Sequence, residues 1–251
     1  MPTKNIVFDV VGTLVSFSSF YTSLSTILSP ALAPHNISPQ HFAYTWQTAA
    51  ELEFTFLSIS SQYTPYTTVL RSLFHRTLYL CGVPNPRDVV SDEQVDACVQ
   101  AYSELDVRDD VNLAFDWLRN HGWRVWCFTS SSPQRVTGYF ERAGIDMPVA
   151  NIISCDTLGL AKPALSAYQA VWNMLPDGDE KWFAAAHMWD VSAAKKVGFR
   201  GAWCSVLEGE TCEHIYGRVE LDVRAEGVLD MAKKVVEKSD CSQMFVPGTS
   251  S

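Results

Sequence analysis

Long apolar runs, paired cysteines and an excess of basic charge are all missing from this chain. No stretch approaches the roughly 18 consecutive apolar residues of a membrane span. The opening residues, MPTKNIVFDV, lack the basic, apolar and small-residue regions of a secretory signal. The expectation is a cytoplasmic protein with no membrane partner. The seven cysteines (Cys81, Cys98, Cys127, Cys155, Cys204, Cys212 and Cys241) are odd in number, scattered and never in a CxxC pair. That argues against a disulfide framework and against a zinc site. Lysine and arginine total 19 against 28 aspartate and glutamate, a formal charge of -9, so nucleic acid and anionic lipid are disfavoured as partners. Neither an internal repeat nor a low-complexity segment is present. What remains is a chain of 251 residues, 47% hydrophobic and 19% charged, long enough to bury a substantial core. A small-molecule substrate fits that composition, and a homodimer is allowed by it.

The most informative stretch is Asn5-Ile6-Val7-Phe8-Asp9-Val10-Val11-Gly12-Thr13-Leu14. An apolar strand ends in a carboxylate and a glycine follows, which places Asp9 at the carboxyl end of a strand, where open α/β sheets bind ligands. An acid there costs stability unless it is hydrogen-bonded or used. Asp9 is either a nucleophile or the cap of the turn that follows it, since aspartate favours both places.

After this strand comes a region with no convincing strand. Phe17 to Leu28 carries apolar residues at mixed spacing, and Pro30, Pro34 and Pro39 interrupt it. Helices are predicted over 41–58, 64–80 and 92–105, the first with Phe42, Trp46, Ala49, Ala50, Leu52, Phe54 and Phe56 as one greasy face. From about residue 107 the character changes. Helix 110–120, strand 123–128, helix 133–143, strand 152–153, helix 164–173, strand 182–186, helix 192–197 and strand 201–206 alternate. That alternation predicts a Rossmann-like α/β core with a parallel sheet. The expected organisation is a core of residues 1–14 and 106–237, a helical insert of residues 15–105, and a loose polar tail over 238–251.

Polar residues recur at the strand ends. Thr129 and Ser130 close the strand 123–128, as anion-holding hydroxyls or as part of the cap of the next helix. Lys162-Pro163 precedes another helix and would otherwise be read as a surface lysine. Asp190 closes His187-Met188-Trp189-Asp190 and could equally be an N-cap. A histidine between Ala186 and Met188 is more often packed than catalytic. Together, Asp, Thr/Ser, Lys and Asp at four successive strand ends form a set less accidental than any member.

That ordered set resembles the haloacid dehalogenase superfamily. Asp9 to Thr13 looks like its Asp-x-x-Gly-Thr motif, Thr129 its second-motif hydroxyl, Lys162 with Pro163 its third motif and Asp190 its fourth. The helical insert looks like its cap. The 2-haloacid dehalogenase branch is most similar, because Tyr168 follows the Lys-Pro pair and Trp189 precedes Asp190. Two departures matter. Phosphatases of the superfamily need a second Asp two residues after the nucleophile, where this chain has Val11, which can neither ligate Mg²⁺ nor shuttle a proton. Halide-receiving enzymes of the branch carry an arginine on the first cap helix, whereas Trp46 to Phe54 contains no basic residue.

The resemblance implies a hydrolase without metal or cofactor, in which Asp9 attacks carbon and forms an aspartyl ester. Lys162 would keep Asp9 charged, Thr129 would orient the substrate, and Asp190 would position Lys162 or the second water. Thr13, Val11, Ser130, Tyr168, His187, Trp189 and Trp46 are expected around the substrate, with Trp46, Phe54 and Trp189 walling an apolar pocket. Three alternatives stay open: a tailoring enzyme acting on a larger carbonyl metabolite, a magnesium-dependent phosphatase, and a non-catalytic binding module.

Overall fold

Residues 3–217 and 219–244 are described by the structure, a computed structural model. Strand β1 (Lys4–Asp9) leads into β2 (Val15–Ser16) and then five helices: α1 (Ser18–Leu32), α2 (Pro39–Ile59), α3 (Tyr66–Leu80), α4 (Pro86–Val89) and α5 (Asp92–Ala101). The chain returns through β3 (Asp106–Val107) to α6 (Val111–Asn120), β4 (Trp123–Thr129), α7 (Pro133–Arg142), β5 (Ile152–Ser154), α8 (Cys155–Leu158) and α9 (Leu165–Met174). It ends with β6 (Glu180–Ala185), α10 (Met188–Val197), β7 (Arg200–Cys204), β8 (Val223–Ala225) and α11 (Val228–Met244).

Six strands form one sheet in the order β5-β4-β1-β6-β7-β8, and every neighbouring pair in it is parallel. Alternate residues of β1 serve opposite faces: Ile6 and Phe8 join one hydrophobic core, Val7 the other. With helices covering both faces the strands read as continuous apolar runs. The chain leaves β1 for β4 on one side and adds β6 on the other, so β1 sits at the topological switch point, where such sheets open a crevice for ligands.

The helical insert joins the core through a narrow neck. Val15 pairs with Val107 and Ser16 with Asp106 in a two-stranded antiparallel ladder. Beside it the Arg108 guanidinium donates to the backbone carbonyls of Gly12 and Thr13, both at 3.0 Å. This ties the neck to the turn that follows Asp9. Local signals explain the insert's helices. Ser38 caps α2, with Pro39 at its first position, and Ser91 with Gln94 closes a reciprocal capping box on α5. Inside it Phe20, Phe42, Trp46 and Phe74 are fully or almost fully buried.

Two expectations are corrected. The interrupted stretch after Phe17 is a regular helix, α1, which carries Pro30 near its end. The segment 238–251 is not simply a loose tail, because α11 continues through Met244. Residues 245–251 lie outside the described residues. Val228, Met231, Ala232, Val235 and Val236 are buried at helical spacing, and that stripe holds α11 in place. Ser239 extends it by donating to Glu180 Oε2 at 2.6 Å, and Lys4 pairs with Asp240 at 2.8 Å.

Candidate active site

Six side chains, Asp9, Thr13, Lys162, Tyr168, His187 and Asp190, meet at the carboxyl end of β1. Lys162, between α8 and α9, places its ammonium 2.9 Å from Asp9 Oδ1 and 2.8 Å from Asp190 Oδ2. Tyr168 on α9 donates to Asp190 Oδ1 at 2.5 Å. Thr13 donates to Asp9 Oδ2 at 2.6 Å, and its oxygen accepts the Ala186 N–H at 2.8 Å, which fixes the hydroxyl proton toward Asp9. His187 Nδ1 lies 3.3 Å from the same Oδ2. A carboxylate has about four acceptor positions. Three are taken here, so a lone pair remains on Asp9 for chemistry. Its side chain keeps 8% exposure, against 1% for Lys162 and none for Asp190.

The charges follow from burial and partners. Burial alone would raise Asp9, but Lys162, His187 and Thr13 overcome it and hold the carboxyl far below its usual range. Lys162 is opposed by burial and raised by Asp190 and Asp9, so it stays an ammonium. Its Nζ also sits 4.6 Å from the Phe128 ring centroid, an aromatic face that suits a cation. Burial, reinforced by Asp9, lifts Asp190 to about 6 despite Lys162. For His187 burial lowers the pKa, but the hydrogen bond and charge of Asp9 win and raise it to about 9.

That last shift gives stability a pH signature. A histidine whose folded pKa exceeds its ordinary 6.5 contributes stability fully present below that value and lost as pH rises through about 9. Wild type should therefore lose at most about 3 kcal/mol relative to His187→Gln between pH 6.5 and 9.5. Thermal melts of both proteins across that range measure the difference. Parallel pH profiles would remove the His187–Asp9 pair from the ledger.

Over this cluster lies a cavity of about 340 Å³. Val11, Ser130, Ser131, Lys162, His187 and Trp189 line it from the core. Thr48, Glu51, Leu52, Phe54, Thr55, Tyr66 and Tyr102 line it from the insert. The turn at Gly12 has φ +92°, and a Cβ there would stand 2.7 Å from His187 Cε1. Only glycine lets that ring approach.

Four residues expected around the substrate do not line the cavity: Thr13 and Tyr168 are fully buried with their hydroxyls donated to Asp9 and Asp190, and Trp46 and Thr129 lie elsewhere. Trp46 does not line the cavity; it is fully buried inside the insert, stacked with Phe42 and edge-on to Phe74, with its indole N–H donated to the Leu70 carbonyl at 2.7 Å. The reason is helical phase: Ala43, Trp46 and Ala50 face the insert's core, and Thr48, Glu51, Leu52 and Thr55 face the cavity. Leu52 and Phe56 are more than half exposed, so the greasy face is narrower than their hydrophobicity suggests. Thr129 ends β4 as expected, but its hydroxyl accepts the Ser131 N–H at 3.0 Å and does not line the cavity. It shapes the loop that presents Ser130 and Ser131. Sequence reasoning gave no role to Ser131, Tyr66, Tyr102 or Glu51; for Thr48, Glu51, Leu52 and Thr55 the i, i+3, i+4, i+7 spacing was the available signal.

Asp9, His187 and Asp190 offer ligand atoms within 4.8 Å of one another. The Lys162 ammonium, however, already bridges the two carboxylates at hydrogen-bond distance, and the Val11 side chain offers no oxygen. A divalent cation there would have to displace a buried ammonium from both its partners, so the donor set does not fit one.

A model of the haloacid dehalogenase-like hydrolases matches residues 3–198. The (S)-2-haloacid dehalogenase 2 of Pseudomonas sp. (strain CBS-3) is 23% identical over 202 residues, covering 80% of this chain and 82% of that protein. Among solved structures, an L-2-haloacid dehalogenase superposes with a TM-score of 0.77 at 16% identity, over 94% of this chain and all of that one. The L-2-haloacid dehalogenase from Xanthobacter autotrophicus with chloropropionic acid covalently bound gives 0.70 at 19% identity, over 93% of this chain and 98% of that one. At those identities the structural likeness speaks for the fold.

Proposed function

Because the chain belongs to the haloacid dehalogenase-like hydrolase family, its match spanning residues 3–198, we propose that it uses Asp9 to attack an electrophilic carbon, without a metal. The observation that carries this reading is the Lys162 ammonium between Asp9 and Asp190, 2.9 and 2.8 Å away, with Val11 where a metal-dependent phosphatase needs an acid. The ammonium keeps Asp9 ionised and aimed, and the apolar cavity strips water from it, which strengthens both electrostatics and nucleophilicity.

Attack forms an aspartyl ester and expels the leaving group. With Asp9 esterified, one carboxylate on Lys162 has lost its charge, and Asp190, at about 6, holds Lys162 in place while water hydrolyses the ester. The loop carrying Ser130 and Ser131 presents hydroxyls and N–H groups to a substrate carbonyl or carboxylate. His187 supports the charge of Asp9 from the cavity side.

Mass spectrometry after one turnover in ¹⁸O water tests the route. Solvent oxygen should appear in Asp9 first and in product only on later turnovers. Labelled product from an unlabelled Asp9 would exclude the ester. A tailoring reaction on a substrate larger than a short haloacid is the second reading, favoured by the cavity's size and by a cap wall that presents Glu51 in place of a cation. Chloride release from 2-chloropropionate separates the two: release supports a haloacid substrate, and none across a panel of short haloacids supports the larger one.

A further inference from the structure

The cap wall of the cavity carries an acid where a departing anion would need a cation. Glu51 on α2 faces the cavity with Thr48, Leu52 and Thr55. Its Oε1 accepts from Gln47 Nε2 at 3.0 Å, and Gln47 Oε1 in turn accepts from the Tyr21 hydroxyl at 3.1 Å. Gln47 is 6% exposed, so this chain holds the carboxyl by one oxygen. Among the described residues no hydrogen bond reaches the other oxygen. Next to it on the wall, the buried Tyr66 hydroxyl faces Tyr102 but makes no well-formed hydrogen bond, although Tyr66 lines the cavity. An unpaired buried hydroxyl costs about 1–3 kcal/mol unless a ligand satisfies it. A carboxyl group with one free oxygen and a phenol hydroxyl therefore stand on the cap side of the cavity, within walls formed by Val11, Phe17, Leu52 and Phe54.

Building on attack by Asp9 at carbon, we infer that the substrate is an epoxide on an apolar body and that the Glu51 carboxyl group donates the proton taken by the departing ring oxygen. A halide needs no proton and would meet a carboxyl group. An unstrained ether is too poor an electrophile for a carboxylate. Ring strain supplies the activation, and the oxygen that leaves needs a proton donor where Glu51 stands. Burial raises the Glu51 pKa, with His187 and Gln47 opposing and Asp9 and Glu208 adding to it, so the carboxyl can carry that proton.

The step balances. An Asp9 oxygen bonds to a ring carbon as the ring C–O bond breaks, and its electron pair stays on oxygen. That oxygen takes the Glu51 proton while Tyr66 donates a hydrogen bond to it, leaving a hydroxy-ester on Asp9 and a carboxylate at Glu51. Water adds to the ester carbonyl, the diol departs, and the proton released restores Glu51.

The purified full chain is to be assayed for diol formation from styrene oxide and 1,2-epoxyoctane, alone and in ¹⁸O water. Diol is expected from at least one, with label entering through Asp9. Glu51→Gln should lower kcat by 10²- to 10⁴-fold and remove the alkaline limb of its pH profile. Tyr66→Phe should cost about tenfold, a factor of one donated hydrogen bond. No diol from either epoxide, or Glu51→Gln with an unaltered kcat and pH profile, overturns the inference. Label bypassing Asp9 in a working enzyme instead overturns the Asp9 reading on which it rests.

Discussion

Replacing Asp9 by Asn abolishes turnover, by a factor on the order of 10⁴ or more, and leaves the fold standing. The loss follows from chemistry: an amide oxygen is a poor nucleophile and the aspartyl ester never forms. The tolerance follows from charge. In the folded protein Asp9 and Asp190 balance Lys162 and a protonated His187. Removing one carboxylate leaves Lys162 paired with Asp190 through the 2.8 Å contact. His187 loses the partner that raised it to about 9 and gives up its proton, so no unpaired charge stays buried. Circular dichroism and melting near neutral pH should be little changed, and the His187 imidazole followed by NMR should titrate clearly below 9. Undiminished activity would take Asp9 out of the reaction. A collapsed fold would mean that the cluster cannot re-neutralise as described.

Much of this site was legible because strand ends in an alternating sheet are few. Asp9, Lys162 and Asp190 are polar residues that interrupt or follow apolar runs, and the sheet order brings their loops to one edge. Thr129 shows the limit. Its place at the end of β4 was readable, but a hydroxyl beside two serines can serve ligand or loop, and only geometry shows it accepting from Ser131. Trp46 fails for another reason. A helix over 41–58 was plain, yet its apolar residues cover more than one face, so hydrophobicity alone could not fix which stripe meets the cavity. The polar members settle it: Thr48, Glu51 and Thr55 cannot sit in the insert's core beside Phe42 and Phe74. No helix is predicted after strand 201–206, so α11 was missed as a whole; its C-terminal part is polar enough to read as tail, and what orders it is the buried stripe 228–236 upstream.

Lys162→Met separates the lysine's structural role from its chemical one. Methionine fills similar space without charge, so among the described residues the variant leaves the cluster's carboxylates with His187 as their one remaining ion-pair partner. Breaking one side of a buried ion pair costs about 3–5 kcal/mol, which for a chain of this size corresponds to roughly 10 °C in Tm. Activity should fall with it, since Asp9 loses its chief support for ionisation. The pH dependence identifies the cause. Without Lys162 the Asp190 carboxyl rises further above the value of about 6 it has with the lysine present. A carboxyl whose folded pKa exceeds the unfolded one near 3.9 stabilises at low pH and loses that contribution as pH rises. The variant should therefore approach wild-type stability near pH 5 and fall away toward pH 8. Adding Asp190→Asn removes the stranded charge and should recover most of the stability while leaving turnover lost, a coupling that a double-mutant cycle measures. If the double variant is as unstable as Lys162→Met alone, the loss comes from packing around Phe128 and Phe183 and not from an unpaired carboxylate.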